Sequence, residues 1–409
     1  MKSALPRSVG TESRQPFDEG WQEVAWVPDA RQVAAPLKGR GTATQLAHRF
    51  ARQDRESVDD GWNELDGEDL PPAPVTEVTP ETARSILSRN DSPDIPFTWS
   101  INPYRGCEHG CIYCYARPTH GYLNLSPGLD FETRLVAKVN AADLLMRELS
   151  KKGHVCSPIN IGSATDPYQP IEREWRLTRS VLEVLQACHH PFTIVTKSSG
   201  VERDLDILSQ AAQRRQTYVM VSLTTLDAAL SRKLEPRGAA PHRRLQTVRR
   251  LADAGVPVGV NVAPIIPFLN EPEIEPIIEA AAQAGAANIH YTVVRLPWEV
   301  RPLFQEWLMH HVPERADRIM ARIREMRGGK EYDSDYSLRM RGQGVWAELI
   351  AQRVSKAAAR HGIGRRGIEL DTSAFDPGVC RARLQAAQAE VAPQLDLFAA
   401  ASMGPSQRV

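Results

Sequence analysis

Three cysteines, Cys107, Cys111 and Cys114, stand within the run Cys107-Glu108-His109-Gly110-Cys111-Ile112-Tyr113-Cys114. The C-x3-C-x2-C spacing, with Gly106 and Gly110 to bend the backbone, lets three thiolates converge on one point. Three is one short of the four that close a structural zinc or cubane site, so one coordination position stays open for a small molecule. His109 is the alternative fourth ligand, but between two cysteines on a tight loop it would strain to face the same metal. A zinc knuckle is the competing reading. Such sites usually pair two short C-x2-C hairpins, whereas this loop follows a strand.

Further polar residues stand where apolar strands end. After the second strand comes Gly162-Ser163-Ala164-Thr165-Asp166-Pro167, with Glu172 beyond it. Asp166 and Glu172 are candidates for binding a ligand ammonium group or the substrate; a turn with a helix N-cap competes evenly for Glu172 and less well for Asp166. Lys197 completes a third strand and must find an anion or reach outwards. Ser222 closes a fourth, and Glu235 and Arg237 follow, as ligand contacts or as a simple ion pair. Asn261-Val262-Ala263-Pro264-Ile265-Ile266-Pro267 offers an apolar wall for an adenine ring or plain core, and Arg295 is a candidate substrate-facing cation.

The elements that must position these residues are strands over 97–104, 158–164, 192–197, 217–224, 257–266 and 288–296. Their β-branched cores are typical of buried parallel strands. Helices are expected over 132–151, 175–189, 202–215, 241–254 and 271–284, with Gly153, Gly255 and Gly285 at C-cap positions. Further helices follow near 302–327 and 344–361. Six strand–helix units mean a parallel sheet with right-handed crossovers, short of the eight that close a full barrel. A three-quarter barrel and a doubly wound sheet both satisfy this pattern. The chain divides into a poorly structured extension (1–95) rich in charge and proline, a core (96–300), a helical addition (301–380) and a flexible tail (381–409).

Balanced charge, 50 basic against 50 acidic residues, argues against strong non-specific polyanion binding. There is no apolar run of the roughly 20 residues a membrane helix needs, and a cytoplasmic protein is expected. Six cysteines in 409 residues make no disulfide framework. Basic runs such as His242-Arg243-Arg244 with Arg249-Arg250, and Arg360 with Arg365-Arg366, read as solvated helix faces before phosphate contacts.

The cysteine motif, with Tyr113 as the aromatic residue before the last cysteine, resembles the radical SAM superfamily signature. The segments around Asp166, Lys197, Ser222 and Glu235 are similar to the group containing spore photoproduct lyase and its "DNA repair photolyase-like" relatives. The resemblance implies an α/β fold, a partial (β/α)6 TIM-like barrel, and a [4Fe–4S] cluster on Cys107, Cys111 and Cys114. It also implies a free iron that chelates S-adenosylmethionine (SAM), reductive release of a 5′-deoxyadenosyl radical, and an electron donor such as flavodoxin or ferredoxin. It carries SAM contacts to Lys197 and Ser222, with Asp166, Glu235 and Arg237 near the same cofactor, and catalytic roles to Tyr113 and Tyr115. The lyases' second-strand cysteine has no counterpart within Gly162–Asp166, which puts spore photoproduct repair in doubt.

In the tail, Gln394, Leu395, Asp396, Leu397 and Phe398 resemble the Q-L-[SD]-L-F motif by which bacterial repair proteins dock on the DNA polymerase sliding clamp. An apolar end packing on its own domain is the alternative. The leading expectation is a lyase-like radical SAM enzyme acting in the repair or modification of DNA or another nucleic acid. Action on a protein or small metabolite, or a non-catalytic metal-bearing adaptor, stays open.

Overall fold

The structure, a computed structural model, describes residues 37–51, 74–364 and 368–386. Two short strands, β1 (Glu77–Glu81) and β2 (Leu87–Arg89), precede β3 (Trp99–Ile101), the first strand of the central sheet. β4 (Tyr104–Arg105) leads into the cysteine loop and β5 (Arg134–Lys138) leaves it. The central sheet continues with β6 (Ile159–Ile161), β7 (Phe192–Thr196), β8 (Thr217–Ser222), β9 (Val258–Ile265) and β10 (Asn288–Val293).

Its order is β10-β9-β8-β7-β6-β3-β2, parallel throughout except for antiparallel β2 at the edge. Each parallel strand pairs with the next of the six in sequence. The sheet therefore winds one way, without the reversal of strand order that marks a doubly wound fold. That selects the partial barrel.

The helices wrap this sheet: α1 (Asp130–Thr133), α2 (Ala141–Leu149), α3 (Glu172–Trp175), α4 (Leu177–Ala187), α5 (Leu205–Gln213), α6 (Ala228–Leu234), α7 (Pro241–Asp253) and α8 (Ile274–Gln283). α9 (Val300–His311), α10 (Pro313–Glu325) and α11 (Gly344–Arg360) follow the last strand. Strand residues Ile101, Ile161, Ile194, Val221 and Val260 share one core with Leu145, Leu182, Leu208, Leu251 and Ile277 from the helices. β8 is buried at every position, which is why its sequence runs apolar instead of alternating. Gly255 and Gly285 take φ of 73° and 93° just past α7 and α8, as capping glycines do.

The structure departs from expectation in several places. Residues 132–151 do not form one helix: Arg134–Lys138 buries alternate residues Leu135 and Ala137, and its period of two makes it a strand. It pairs with β1 and β4 in a separate three-stranded sheet. The helix then ends at Leu149, ahead of Gly153, which caps nothing. Pro313 opens α10 and splits the expected helix 302–327, because proline cannot donate to the preceding turn. Two stretches of the extension expected to lack structure pack on the domain. Arg40, Thr42 and His48 are buried, and the Arg40 guanidinium ties the stretches together by donating to the Pro74 carbonyl (2.7 Å) and the Thr76 hydroxyl (3.0 Å). Cys188 and Cys380, expected to be scattered thiols, are joined as a disulfide with Cα atoms 5.6 Å apart.

Trp21, Trp26, Trp62, Arg365, Arg366 and the whole clamp-like pentapeptide Gln394 to Phe398 lie outside the described residues. Among those described, no helix is long and apolar enough to cross a membrane.

Candidate functional site

The cysteine loop lies at the C-terminal ends of the parallel strands. Gly106 and Gly110 both have positive φ, 75° and 66°. A Cβ on Gly106 would meet the Leu135 side chain at 2.5 Å, so only glycine fits this turn. The loop is fixed by side chains reaching its backbone. Gln169, fully buried, accepts the Glu108 N–H (2.9 Å) and donates to the Gly106 carbonyl (3.1 Å). Arg117, also fully buried, donates to the carbonyls of Cys111 (2.9 Å), Gly128 (3.0 Å) and Gly110 (3.2 Å) and pairs with Glu132. The Glu132 carboxylate in turn accepts the Gly41 N–H (2.8 Å), so the extension braces the loop.

Burial pushes the Cys107 thiol well above its ordinary pKa, with Asp166 and Cys111 adding to the rise. Burial raises Cys111 to about 12, while Lys197 and Arg244 pull it down against Glu235 and Cys114. Two buried thiols, Cys107 and Cys111, whose thiolates are disfavoured by burial and by neighbouring negative charge need a cation to take their protons' place. Among the described residues no three His, Cys, Asp or Glu side chains are set around one metal ion. His109 does not join the cysteines: its Nδ1 lies 3.3 Å from Asp166. The zinc-knuckle alternative therefore has no fourth ligand among the described residues, while three cysteine sulfurs are a donor set that would suit a polynuclear cluster with one metal left open.

Asp166 is a hub. It accepts from the Lys197 N–H (2.6 Å), the Thr196 hydroxyl (2.8 Å) and the Tyr168 N–H (2.9 Å), besides its pairing with His109. Burial works to raise its pKa, but His109 and these donors outweigh it and hold the carboxyl at about 2. The protein thus occupies the roughly four acceptor positions of a carboxylate.

Glu235 and Arg237, expected at one mouth, are parted. Glu235 is buried and pairs with Arg244 of α7; it accepts from Thr224 (2.6 Å) and from the Tyr113 hydroxyl. Burial raises its pKa, yet Arg244 and Lys197 overcome this and hold it at about 2. Arg237 pairs instead with Glu108 (3.2 Å), which also accepts from Thr76 (2.6 Å) of the extension. The Lys197 ammonium stands 5.9 Å from the Tyr113 ring centre. Burial opposes its charge, but Cys111 and Glu235 outweigh that and raise its pKa. Ser222 is buried at the end of β8, where its carbonyl accepts from Arg244 (3.0 Å). Tyr115 is partly exposed, its hydroxyl donated to the Ser163 carbonyl and its ring covered by the Arg295 guanidinium at 4.0 Å.

The remaining candidates are structural. Glu172 accepts the N–H groups of Thr178 (3.0 Å) and Arg179 (3.3 Å), capping α4, and pairs with Arg203. Val262, Ile265 and Ile266 lie in the cores. The basic run 242–250 is not a solvated face throughout. Arg243 and Arg250 pair with Glu202, and Arg244 is buried. Its burial had a signal: Arg244, Val248 and Leu251 share one stripe at helical spacing. Arg117 and Glu132 had none.

A partial (β/α)6 barrel that offers three thiols, a half-buried lysine and a buried Glu–Arg pair at one mouth defines the class of protein. The chain matches the model of the Radical SAM superfamily over residues 101–281. It is 33% identical over 270 residues to an uncharacterised protein of Mycobacterium tuberculosis (strain ATCC 25618 / H37Rv), covering 65% of this chain and 75% of that one. A radical SAM Nalpha-GlyT isomerase of Pseudomonas phage M6 is 24% identical over 234 residues, 56% of this chain and 46% of the phage protein. The solved structure of spore photoproduct lyase complexed with dinucleoside spore photoproduct is 18% identical with a TM-score of 0.46, covering 69% of this chain and 79% of that one. The chain belongs to the radical SAM superfamily. Membership implies SAM and an iron–sulfur cluster as cofactors, and SAM-dependent radical chemistry.

Proposed function

We propose that the protein is a radical SAM enzyme that holds a [4Fe–4S] cluster on Cys107, Cys111 and Cys114 and acts on a base or nucleoside of DNA. The observation that carries the enzyme reading is the meeting of the three cysteine thiols, Cys107 and Cys111 buried and Cys114 half-buried, with Lys197 and the Glu235–Arg244 pair at the barrel mouth. When bound, the cluster supplies the electron that breaks a sulfur–carbon bond of SAM.

The residues then divide by role. Lys197 offers the cation for the SAM carboxylate, and Ser222 lies beside it. Asp166, saturated by protein donors, positions Lys197 and His109. Glu235 and Arg244 hold the Tyr113 hydroxyl and the end of β8. Arg237 serves the outer side of the loop through Glu108. Tyr115 is the tyrosine that faces the mouth.

The DNA reading rests on the similarity to the lyase-like group and on the clamp-like Gln394-Leu395-Asp396-Leu397-Phe398, which would bring the enzyme to a sliding clamp. A flavodoxin or ferredoxin is the proposed electron donor. Anaerobic reconstitution with iron and sulfide tests the enzyme reading. A brown protein that forms 5′-deoxyadenosine from SAM under dithionite is expected, and the Cys111→Ala protein should form none. A colourless protein that leaves SAM intact would overturn it.

A further inference from the structure

Five aromatic side chains are exposed among the described residues: Tyr122 (61%), Trp298 (47%), Phe50 (45%), Tyr115 (44%) and Tyr336 (40%). Every one has a guanidinium over its ring. Arg49 lies 4.2 Å from Trp298, 4.6 Å from Phe50 and 5.7 Å from Tyr122; Arg295 covers Tyr115, and Arg339 covers Tyr336 at 4.6 Å. The Phe50 and Tyr122 rings are 5.3 Å apart.

Phe50 of the extension, Tyr122 after the cysteine loop and Trp298 after β10 are distant in sequence and meet around Arg49. Tyr115, next to Cys114, and Arg295, just past β10, form a second such pair. Arg49 is anchored by Glu299, which accepts its N–H (2.9 Å) and pairs with its guanidinium (3.3 Å), so it is held flat among three rings. Trp298 has φ of 45°, a costly backbone for a bulky residue, and that backbone carries a large ring half into solvent. A fold that tolerates both costs gains little from this ring in its own packing. Arg295 has no ion-pair partner among the described residues.

The geometry points to a stacking platform for unpaired nucleotides of DNA, flanking the base delivered to the barrel. Flat faces alternating with guanidinium groups suit bases and phosphates of a splayed strand. A proline-rich peptide also docks on aromatic rings, but it offers no phosphates to the guanidinium groups that stand beside these ones. This inference rests on the DNA reading above and specifies how that DNA is held: single-stranded at the rim.

The test is fluorescence anisotropy of the cofactor-loaded protein with a short fluorescein-labelled oligodeoxythymidine, alone and annealed to its complement, at fixed salt. Trp298→Ala and Tyr122→Ala should each weaken single-strand binding by about tenfold, while Trp298→Phe stays within about twofold and the duplex binds more weakly than the single strand. Tyr122 is exposed, so its variant should keep its fold and remain readable if the change at 298 does not. Unchanged binding by both alanine variants, a phenylalanine variant as weak as the alanine one, or a duplex bound as tightly as the single strand would overturn the platform. In those cases the wild type still binds DNA and the DNA reading stands. A wild type that binds neither oligonucleotide overturns both.

Discussion

Arg117–Glu132 and Arg244–Glu235 are both fully buried arginine–glutamate pairs that touch the cysteine loop, yet their carboxyls are perturbed in opposite directions. At Glu132 burial wins, and the pKa rises in spite of Arg117, the Gly41 N–H and Arg40. At Glu235 burial is overcome by Arg244 and Lys197, and the carboxyl sits at about 2. The difference follows from what else each arginine serves. Arg117 spends its donors on backbone carbonyls of the loop and of Pro127 and Gly128, so its pair staples chain to chain. Around Glu235 a second cation is close and two hydroxyls donate, so this pair stores negative charge beside the thiols. One pair holds the loop's shape; the other sets the field inside it.

The largest way to break this distinction is Arg117→Met. It strands the Glu132 carboxyl and several carbonyls, and should cost roughly 3–5 kcal/mol by thermal or denaturant unfolding. Arg117→Lys should not restore it, since an ammonium cannot span the same carbonyls. Arg244→Met leaves Lys197 near Glu235 and should cost less, about 1.5–3 kcal/mol. Equal losses would show that both pairs are staples.

The pH dependence of the melting temperature sharpens the same contrast. Glu235 has a folded pKa of about 2 against an ordinary 4.5. The unfolded chain therefore binds more protons in that window, and stability present above it is lost as the pH falls through it. The advantage of wild type over Glu235→Gln should shrink on acidification. For Glu132 the folded pKa is raised, so its contribution is present below the ordinary value and lost as the pH rises through the folded one. The advantage of wild type over Glu132→Gln should grow on acidification. Parallel curves for the two variants would contradict the opposite perturbations.

Much of the frame was legible in the sequence because parallel strands covered on both sides run apolar and β-branched. All six expected barrel strands are present, shortened at their ends where the chain turns into loops. β5 was hidden because Leu135 and Ala137 lie in a run that also fits a helical pattern, and its pairing with β1 and β4 decides between the two. The cysteines and Lys197 stood out by type and position. Arg117, Glu132 and Gln169 did not: Glu132 and Gln169 serve backbone groups far away in sequence, and Arg117 serves carbonyls that come together only when the loop has folded. Composition gave no sign that residues 37–51 and 74–95 of the extension are ordered: the buried Arg40 ties the two stretches together at the Pro74 carbonyl and to the domain at the Glu132 carbonyl.

Smaller in stability terms are three changes inside the field that the Glu235 pair sets. Lys197→Met removes the cation proposed for the SAM carboxylate and should weaken SAM binding about tenfold or more by equilibrium titration. Tyr113→Phe takes a donor from the buried Glu235 carboxylate and should cost about 1–3 kcal/mol, visible as lower thermal stability and a smaller acid dependence. Tyr115→Phe removes a hydroxyl at the partly exposed rim and should change stability by no more than about 0.5 kcal/mol. Its effect should fall on the reaction instead, with SAM cleavage retained and the yield from a DNA substrate reduced. If Tyr115→Phe left that yield intact while Tyr113→Phe abolished it at equal stability, the buried tyrosine would be the one that meets the substrate, and the charge held at Glu235 would belong to the reaction.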